Sequence, residues 1–123
     1  ERKIADVAHS AGMPYALHIC GNTDVILEHM LTTGADAFEL DYKTDIGKVL
    51  KTFGTKAVFI GNIDPSGVLA LGSAGDVRKK TEELLEIYVR KGRLILNAGC
   101  AIPPVTPSEN LEAMIQTARN FKL

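Results

Sequence analysis

One histidine and two cysteines stand at the predicted ends of strands in this sequence and could together bind a metal. His18 and Cys20 are two residues apart in a short apolar segment, so in an extended strand their side chains point to the same side. An imidazole and a thiolate placed in this way form a two-point chelate for a tetrahedral metal. Cys100 follows a later strand and would add a third ligand. Three protein ligands with one open position are typical of catalytic zinc.

A structural role for the two cysteines is the alternative interpretation. Free cysteine is among the most buried residue types, and a single His-x-Cys spacing is a weak signal. The chain has only two cysteines, and both fall where a strand is predicted to end. Their common position favours the metal-binding interpretation.

Three further polar residues follow predicted strands. Asp41 shares strand parity with Glu39, so both carboxylates are expected on the sheet face opposite the helices. Asn62 and Asp64 are expected to shape the turn before Pro65, and contact with a substrate is the alternative for Asn62. Asn97 either lines the pocket or holds its own loop.

The scaffold that must position these residues is predicted to alternate strands with helices. Strict alternation argues for a parallel sheet with crossover helices. No G-x-G-x-x-G or P-loop motif follows a strand, which disfavours a doubly wound open sheet, and four βα units are half of a (β/α)8 barrel. The predicted elements are a helix over residues 2–11, strands over 15–19, 37–40, 56–60 and 94–96, and helices beginning at Thr23, Asp45, near Val68, at Asp76 and at Ser108.

Length, charge and cysteine content exclude several classes of protein. The 123 residues carry 14 Lys and Arg against 15 Asp and Glu, a net charge of −1, so neither nucleic acid nor a membrane is an expected partner. No apolar run approaches the ~18 residues of a membrane span. Two cysteines form no disulfide framework, which points to the reducing cytoplasm. The chain lacks an initiator Met and opens within a helical pattern. We therefore expect residues 1–123 to form a single partial domain of a longer protein.

Five segments of the sequence resemble the uroporphyrinogen decarboxylase superfamily. The resemblance covers essentially the whole chain but corresponds to the C-terminal part of a family member. It implies an α/β fold that is the C-terminal half of a (β/α)8 TIM barrel, with one helix followed by four βα units. The segments are HICGN at 18–22, GADA at 34–37, GNIDP at 61–65, LNAGCAIPP at 96–104 and TPSENL at 106–111.

Within that superfamily the chain is most similar to the zinc-dependent methylcobamide:coenzyme M methyltransferases. Decarboxylases carry a histidine in place of Cys100 and lack the His-x-Cys pair. The resemblance therefore implies zinc bound by His18, Cys20 and Cys100. It also implies transfer of a methyl group from a methylated corrinoid protein to a small thiol such as coenzyme M. A decarboxylase-like or tetrapyrrole-binding barrel without catalytic zinc is the alternative.

Asp41 departs from the pattern of this branch. Methyltransferases of the branch can place a glutamate here as a replaceable fourth zinc ligand, whereas this chain has Asp41-Tyr42-Lys43, closer to the Asp-Trp of decarboxylases. Asp41 is either a displaceable ligand or a residue that orients neighbouring groups or caps the next helix.

Half a barrel would leave two open strand edges and an uncovered inner sheet face. Such surfaces favour pairing with another chain. We therefore expect this piece to form a homodimer or a higher assembly and to lack methyl-transfer activity by itself.

Overall fold

The computed structural model describes residues 1–122 and contains four strands and five α-helices in those residues. No helix in this part of the chain is long and apolar enough to cross a membrane. The elements in chain order are α1 (Arg2–Ser10), β1 (Ala16–Ile19), α2 (Leu27–Leu31), β2 (Ala37–Leu40), α3 (Ile46–Phe53), β3 (Val58–Ile63), a π-helical segment (Pro65–Ala70), α4 (Ala74–Tyr88), β4 (Arg93–Ala98) and α5 (Ser108–Asn120).

The four strands form one parallel sheet in the order β1-β2-β3-β4. A doubly wound sheet reverses its strand order at a switch point, and the strands described here advance without a reversal. Consecutive parallel strands connected by helices are the arrangement of a barrel sector. The order therefore favours the barrel over the open sheet.

One face of the sheet packs against the helices. Alternate residues of β2 and β3 are fully buried on this face, and two aromatic pairs connect it to the helices. The rings of Phe38 and Phe53 have centroids 4.9 Å apart, and those of Phe59 and Tyr88 lie 5.1 Å apart. Aromatic contacts of this kind add about 0.5–1.5 kcal/mol beyond the area they bury. The core therefore lies between the sheet and helices α2 to α5.

The opposite face carries the polar residues predicted to do chemistry. The register places His18 opposite Glu39, Glu39 opposite Ile60, and Ile60 opposite Ile95. Asn62 pairs with Asn97 in a later row. Few large side chains cover this face, and Ile95, which lies on it, is 54% exposed. Functional and apolar residues therefore share an open surface that would be the interior of a complete barrel.

Two helix starts differ from the sequence prediction. Helix α2 begins at Leu27 because Thr23 is buried, and its hydroxyl lies 2.9 Å from the Thr44 hydroxyl instead of capping a helix. Helix α4 begins at Ala74, before the predicted Asp76, because Ser73 and Asp76 form a reciprocal capping box.

Helix α3 begins as predicted. The Asp45 side chain caps it by accepting a hydrogen bond from the backbone N–H of Lys48. The cap fixes the start of the helix that follows β2, and it therefore helps to position the loop after Asp41.

Two predicted strands are longer than expected. Two helices, α1 and α4, carry exposed apolar side chains. Strand β3 continues to Ile63 and β4 to Ala98 because their ladder pairs Asn62 with Asn97 and Ile63 with Ala98. Asn62 and Asn97 therefore lie within strands. Ile87 of α4 is 38% exposed. The apolar face of α1 is also open, and of that helix only Ala5 is buried.

Candidate metal centre

The structure brings His18, Cys20 and Cys100 together at the C-terminal edge of the sheet. His18 lies in β1 and Cys20 directly follows that strand, while Cys100 lies two residues beyond the end of β4. The backbone N–H of Gly99 donates to the carbonyl of Ile63 at 2.8 Å. This bond extends the β3–β4 ladder by one residue, so Cys100 is held close to the sheet.

The ligating atoms of the three residues form a compact cluster. The Nε2 atom of His18 lies 3.0 Å from the sulfur of Cys20, and the two sulfurs are 3.3 Å apart. All three atoms lie within 4.8 Å of one another. Both cysteines are free thiols, and Cys20 is exposed in this part of the barrel.

The donor set fits zinc. Zinc takes thiolate sulfur at about 2.3 Å and imidazole nitrogen at about 2.0–2.1 Å in tetrahedral sites. Two sulfurs on one tetrahedral zinc stand ~3.8 Å apart by that geometry, so the observed sulfur pair has to separate only slightly. One nitrogen and two sulfurs leave the fourth position open.

The surroundings of Cys20 favour a protonated thiol when no cation is bound. The hydrogen bond to the Cys100 sulfur raises the pKa of Cys20, and desolvation raises it further. The negative charges of Asp41 and Glu39 act in the same direction. A divalent cation reverses this balance because it stabilises the deprotonated sulfur directly.

Glu39 is a participant that the sequence did not single out. Its Oε2 atom lies 3.1 Å from the Nδ1 atom of His18, on the side of the imidazole away from the cysteines. Its Oε1 atom accepts a hydrogen bond of 2.7 Å from the Nδ2 group of Asn97. The signal available in the sequence was the strand parity that Glu39 shares with Asp41. Its contact with His18 depends in addition on the β1–β2 register.

Asp41 lies beside the cluster with its carboxylate bonded to the backbone. One oxygen accepts from the N–H of Gly21 at 2.8 Å and the other from the N–H of Lys43 at 2.9 Å. The side chain is buried, at 6% exposure. Asp41 therefore connects the loop after β1 to the loop after β2, and this geometry favours the orienting role.

Asn62 also holds the loop after β2. Its Nδ2 group donates to the carbonyls of Asp41 at 3.3 Å and Thr44 at 3.2 Å. Asp64, and not Asn62, shapes the turn at Pro65, since its Oδ1 atom accepts from the N–H groups of Ser66 and Gly67. Neither of these two hydrogen bonds of Asn62 reaches His18, Cys20 or Cys100.

Gly99 allows the loop that carries Cys100 to pack closely against the loop after β2. A Cβ atom at this position would stand 2.4 Å from the backbone nitrogen of Tyr42 and 3.1 Å from the carbonyl carbon of Asp41. Any side chain larger than hydrogen would therefore push these two segments apart. The close approach holds Cys100 near the end of β1.

Comparison with known proteins assigns the family. The model of the uroporphyrinogen decarboxylase (URO-D) family matches residues 1–121. The chain belongs to the uroporphyrinogen decarboxylase family. The resemblance identified from the five sequence segments is therefore confirmed.

Both methyltransferases and decarboxylases are among the relatives that match this chain. The methylcobamide:CoM methyltransferases MtbA of Methanosarcina acetivorans and Methanosarcina mazei are 35% and 36% identical over 122 residues, which is 99% of this chain and 34% of each relative. A uroporphyrinogen decarboxylase of Methylobacillus flagellatus is 38% identical over 90 residues, 73% of this chain and 25% of that protein. The chain thus spans about a third or less of the length of these relatives.

A solved structure confirms the fold class. A methyltransferase from Methanosarcina mazei superimposes with a TM-score of 0.79 at 28% identity, covering 95% of this chain and 34% of that one. The uroporphyrinogen decarboxylase-family chain is therefore an α/β partial barrel, and it is homologous to methyltransferases. Because decarboxylases match as well, the reaction has to be argued from the site.

Replacing Asp41 by asparagine tests whether its carboxylate is structural. In Asp41→Asn one backbone N–H would face an amide N–H₂ instead of an oxygen, so we expect the free energy of unfolding to fall by about 1–3 kcal/mol. We expect the sulfur and nitrogen shell of bound zinc, measured by X-ray absorption, to be the same as in the wild type. A changed zinc shell with unchanged stability would instead make Asp41 a displaceable ligand.

Proposed function

We propose that this chain carries the zinc site of a methyltransferase that moves a methyl group from a methylated corrinoid, carried by a corrinoid protein, to a small thiol such as coenzyme M. The observation that supports the proposal is the convergence of His18 Nε2, Cys20 Sγ and Cys100 Sγ within 4.8 Å at the C-terminal ends of the strands. Active sites of (β/α)8 barrels lie at this end.

Each residue of the site has a distinct part in this proposal. His18, Cys20 and Cys100 bind the metal, and their exposed side leaves room for the substrate sulfur. When bound, zinc supplies the positive charge that lowers the pKa of a coordinating thiol, so that the sulfur becomes a nucleophile toward the methyl group. Asp41 and Asn62 hold the loop after β2, and Asn97 holds Glu39.

The alternative function is a tetrapyrrole decarboxylase or a tetrapyrrole-binding barrel in which the cysteines are incidental. The 38% identity to a uroporphyrinogen decarboxylase supports it. This alternative requires no metal, and it gives no reason for two thiols to lie 3.3 Å apart beside an imidazole.

The test uses the full-length protein that contains residues 1–123. We expect one zinc per chain in the protein as purified, and transfer of methyl from methylcobalamin to at least one member of a panel of small thiols in a single turnover. Decarboxylation of a tetrapyrrole, with no zinc and no thiol methylation, would support the alternative and overturn the proposal.

We further propose that residues 1–123 are a single partial domain, the C-terminal half of the barrel, acting in the reducing cytoplasm. The cysteine content supports that location, because two cysteines in 123 residues form no disulfide framework of the kind common in oxidising compartments. The remainder of the barrel would cover the open sheet face and complete the pocket. We therefore expect no turnover from the 123-residue piece alone.

The exposed inner sheet face predicts self-association of this piece. Ile95 is 54% exposed on that face and Ile4 and Val7 are exposed on α1, while β1 and β4 are the outermost strands of the described sheet. Open edges and apolar patches favour association. We expect light scattering to give the mass of a homodimer or a higher assembly, and a stable monomer at high concentration would contradict this.

A further inference from the structure

Glu39 connects three strands of the sheet at the metal-binding cluster. Its two carboxylate oxygens contact different partners, His18 of β1 at 3.1 Å and Asn97 of β4 at 2.7 Å. The side chain is partly buried, with 31% of it exposed, on the sheet face opposite the helices. Both contacts lie on the open face, outside the hydrophobic core.

We propose that Glu39 is a positioning residue that fixes the tautomer and the ring orientation of His18 for metal binding, and that Asn97 holds Glu39 in place. This inference rests on the proposed zinc site. It adds to that site a carboxylate that makes no contact with the metal.

The tautomer follows from the chemistry of the contact. An ionised carboxylate accepts hydrogen bonds and donates none, so the hydrogen atom between Nδ1 of His18 and Oε2 of Glu39 belongs to the imidazole. In the neutral ring the other nitrogen, Nε2, then keeps its lone pair. Nε2 is the atom that lies 3.0 Å from the Cys20 sulfur. Glu39 therefore directs the free lone pair of His18 to the point where the sulfurs meet.

Asn97 gives this arrangement its rigidity. A single exposed ion pair contributes little because both side chains lose conformational freedom on pairing. The hydrogen bond from Asn97 restrains the Glu39 side chain through its other oxygen, so less conformational freedom is lost when Glu39 pairs with the imidazole. Asn97 precedes Cys100 by three residues, so one segment at the end of β4 supplies both a ligand and the support of another ligand.

The first experiment measures zinc affinity by competition with a chelator. In Glu39→Gln we expect zinc to bind about 10–100-fold more weakly, the usual cost of removing a hydrogen-bonding partner of a metal ligand. Glu83→Gln is the matched control, because Glu83 pairs with Lys80 on the surface of α4, and it should bind zinc as the wild type does. Equal affinities of Glu39→Gln and the wild type would overturn the inference.

A double-mutant comparison separates positioning from general electrostatics. If Glu39 acts through the imidazole, adding Glu39→Gln to His18→Ala should cause no further loss of affinity. A further loss of the same size in that background would show that the carboxylate acts on the metal by charge alone, which would overturn the positioning role. Asn97→Ala should weaken zinc binding in the same direction as Glu39→Gln.

A second experiment needs no metal and so separates this inference from the proposed function. In the metal-free protein at alkaline pH, the ¹⁵N signals of the His18 ring should show the tautomer protonated at Nδ1, and Glu39→Gln should shift them toward a mixture. If the wild-type protein binds no zinc but shows the Nδ1 tautomer, the proposed function is wrong and the contact between Glu39 and His18 is still supported. A wild-type ring without that tautomer would defeat the inference.

Discussion

Cys100→Ser should remove stoichiometric zinc from the protein. Cys100 supplies one of the two sulfurs of the cluster, and its Sγ atom is 3.3 Å from that of Cys20. Zinc sites in small domains bind with about 10–16 kcal/mol shared among a few ligands, so losing a thiolate should weaken binding at least about a hundredfold. A serine hydroxyl has almost the same shape but is a poor ligand for zinc. The protein should therefore fold and still fail to retain the metal through gel filtration.

The measurement is zinc content by elemental analysis together with affinity in a chelator competition. Cys20→Ser and His18→Ala should behave as Cys100→Ser does. His29→Ala is the matched control, since His29 is an exposed residue of α2 outside the cluster, and it should retain one zinc. Full zinc content in Cys100→Ser would exclude the three-residue site.

Gly99→Ala should be among the most damaging single substitutions near the site. The added Cβ atom would stand 2.4 Å from the backbone nitrogen of Tyr42, and a backbone atom cannot turn aside as a flexible side chain can. Overpacking of this kind typically costs about 1–3 kcal/mol, and we expect a value at or above the upper end. The forced separation of the two loops should also carry Cys100 away from His18 and Cys20 and weaken zinc binding.

Gly75→Ala is a matched control for that experiment. Gly75 lies in the first turn of α4, and a Cβ atom there would meet only the Ser73 hydroxyl at 3.5 Å. We expect this variant to gain about 0.4–1 kcal/mol, because alanine restricts the unfolded chain. Urea unfolding of both variants measures the two effects. Equal stability of Gly99→Ala and the wild type would show that the loops can move apart without cost.

Strand parity and chain order made part of the site predictable. His18 and Cys20 share a side of an extended segment, and in a parallel sheet the end of the strand before Cys100 lies at the same edge. Both facts can be obtained from the sequence. The contact between Glu39 and His18 requires the register of β1 on β2, and periodicity carries no information on register between strands. The sequence therefore indicated the three residues that the structure brings together and missed the contact of Glu39 with one of them.

The helices and strands were likewise predictable only in part. Alternating apolar strands and helices predicted the parallel sheet, because a buried strand and an amphipathic helix have distinct periodicities. The start of α2 could not be predicted, since Thr23 is drawn into a buried hydrogen bond with Thr44, 21 residues away. Asn62 and Asn97 likewise lie in strands because each pairs with the other. Contacts between residues distant in sequence decided each of these cases.

The separation of the ligands along the chain has a consequence for folding kinetics. Cys20 and Cys100 are 80 positions apart and follow the first and last strands of the described sheet. A pair so distant meets only after a costly loop closure, and β2 and β3 must already lie between β1 and β4. We therefore expect the proposed three-residue chelate to assemble late in folding, and a partly folded chain to offer a metal only the bidentate pair His18 and Cys20.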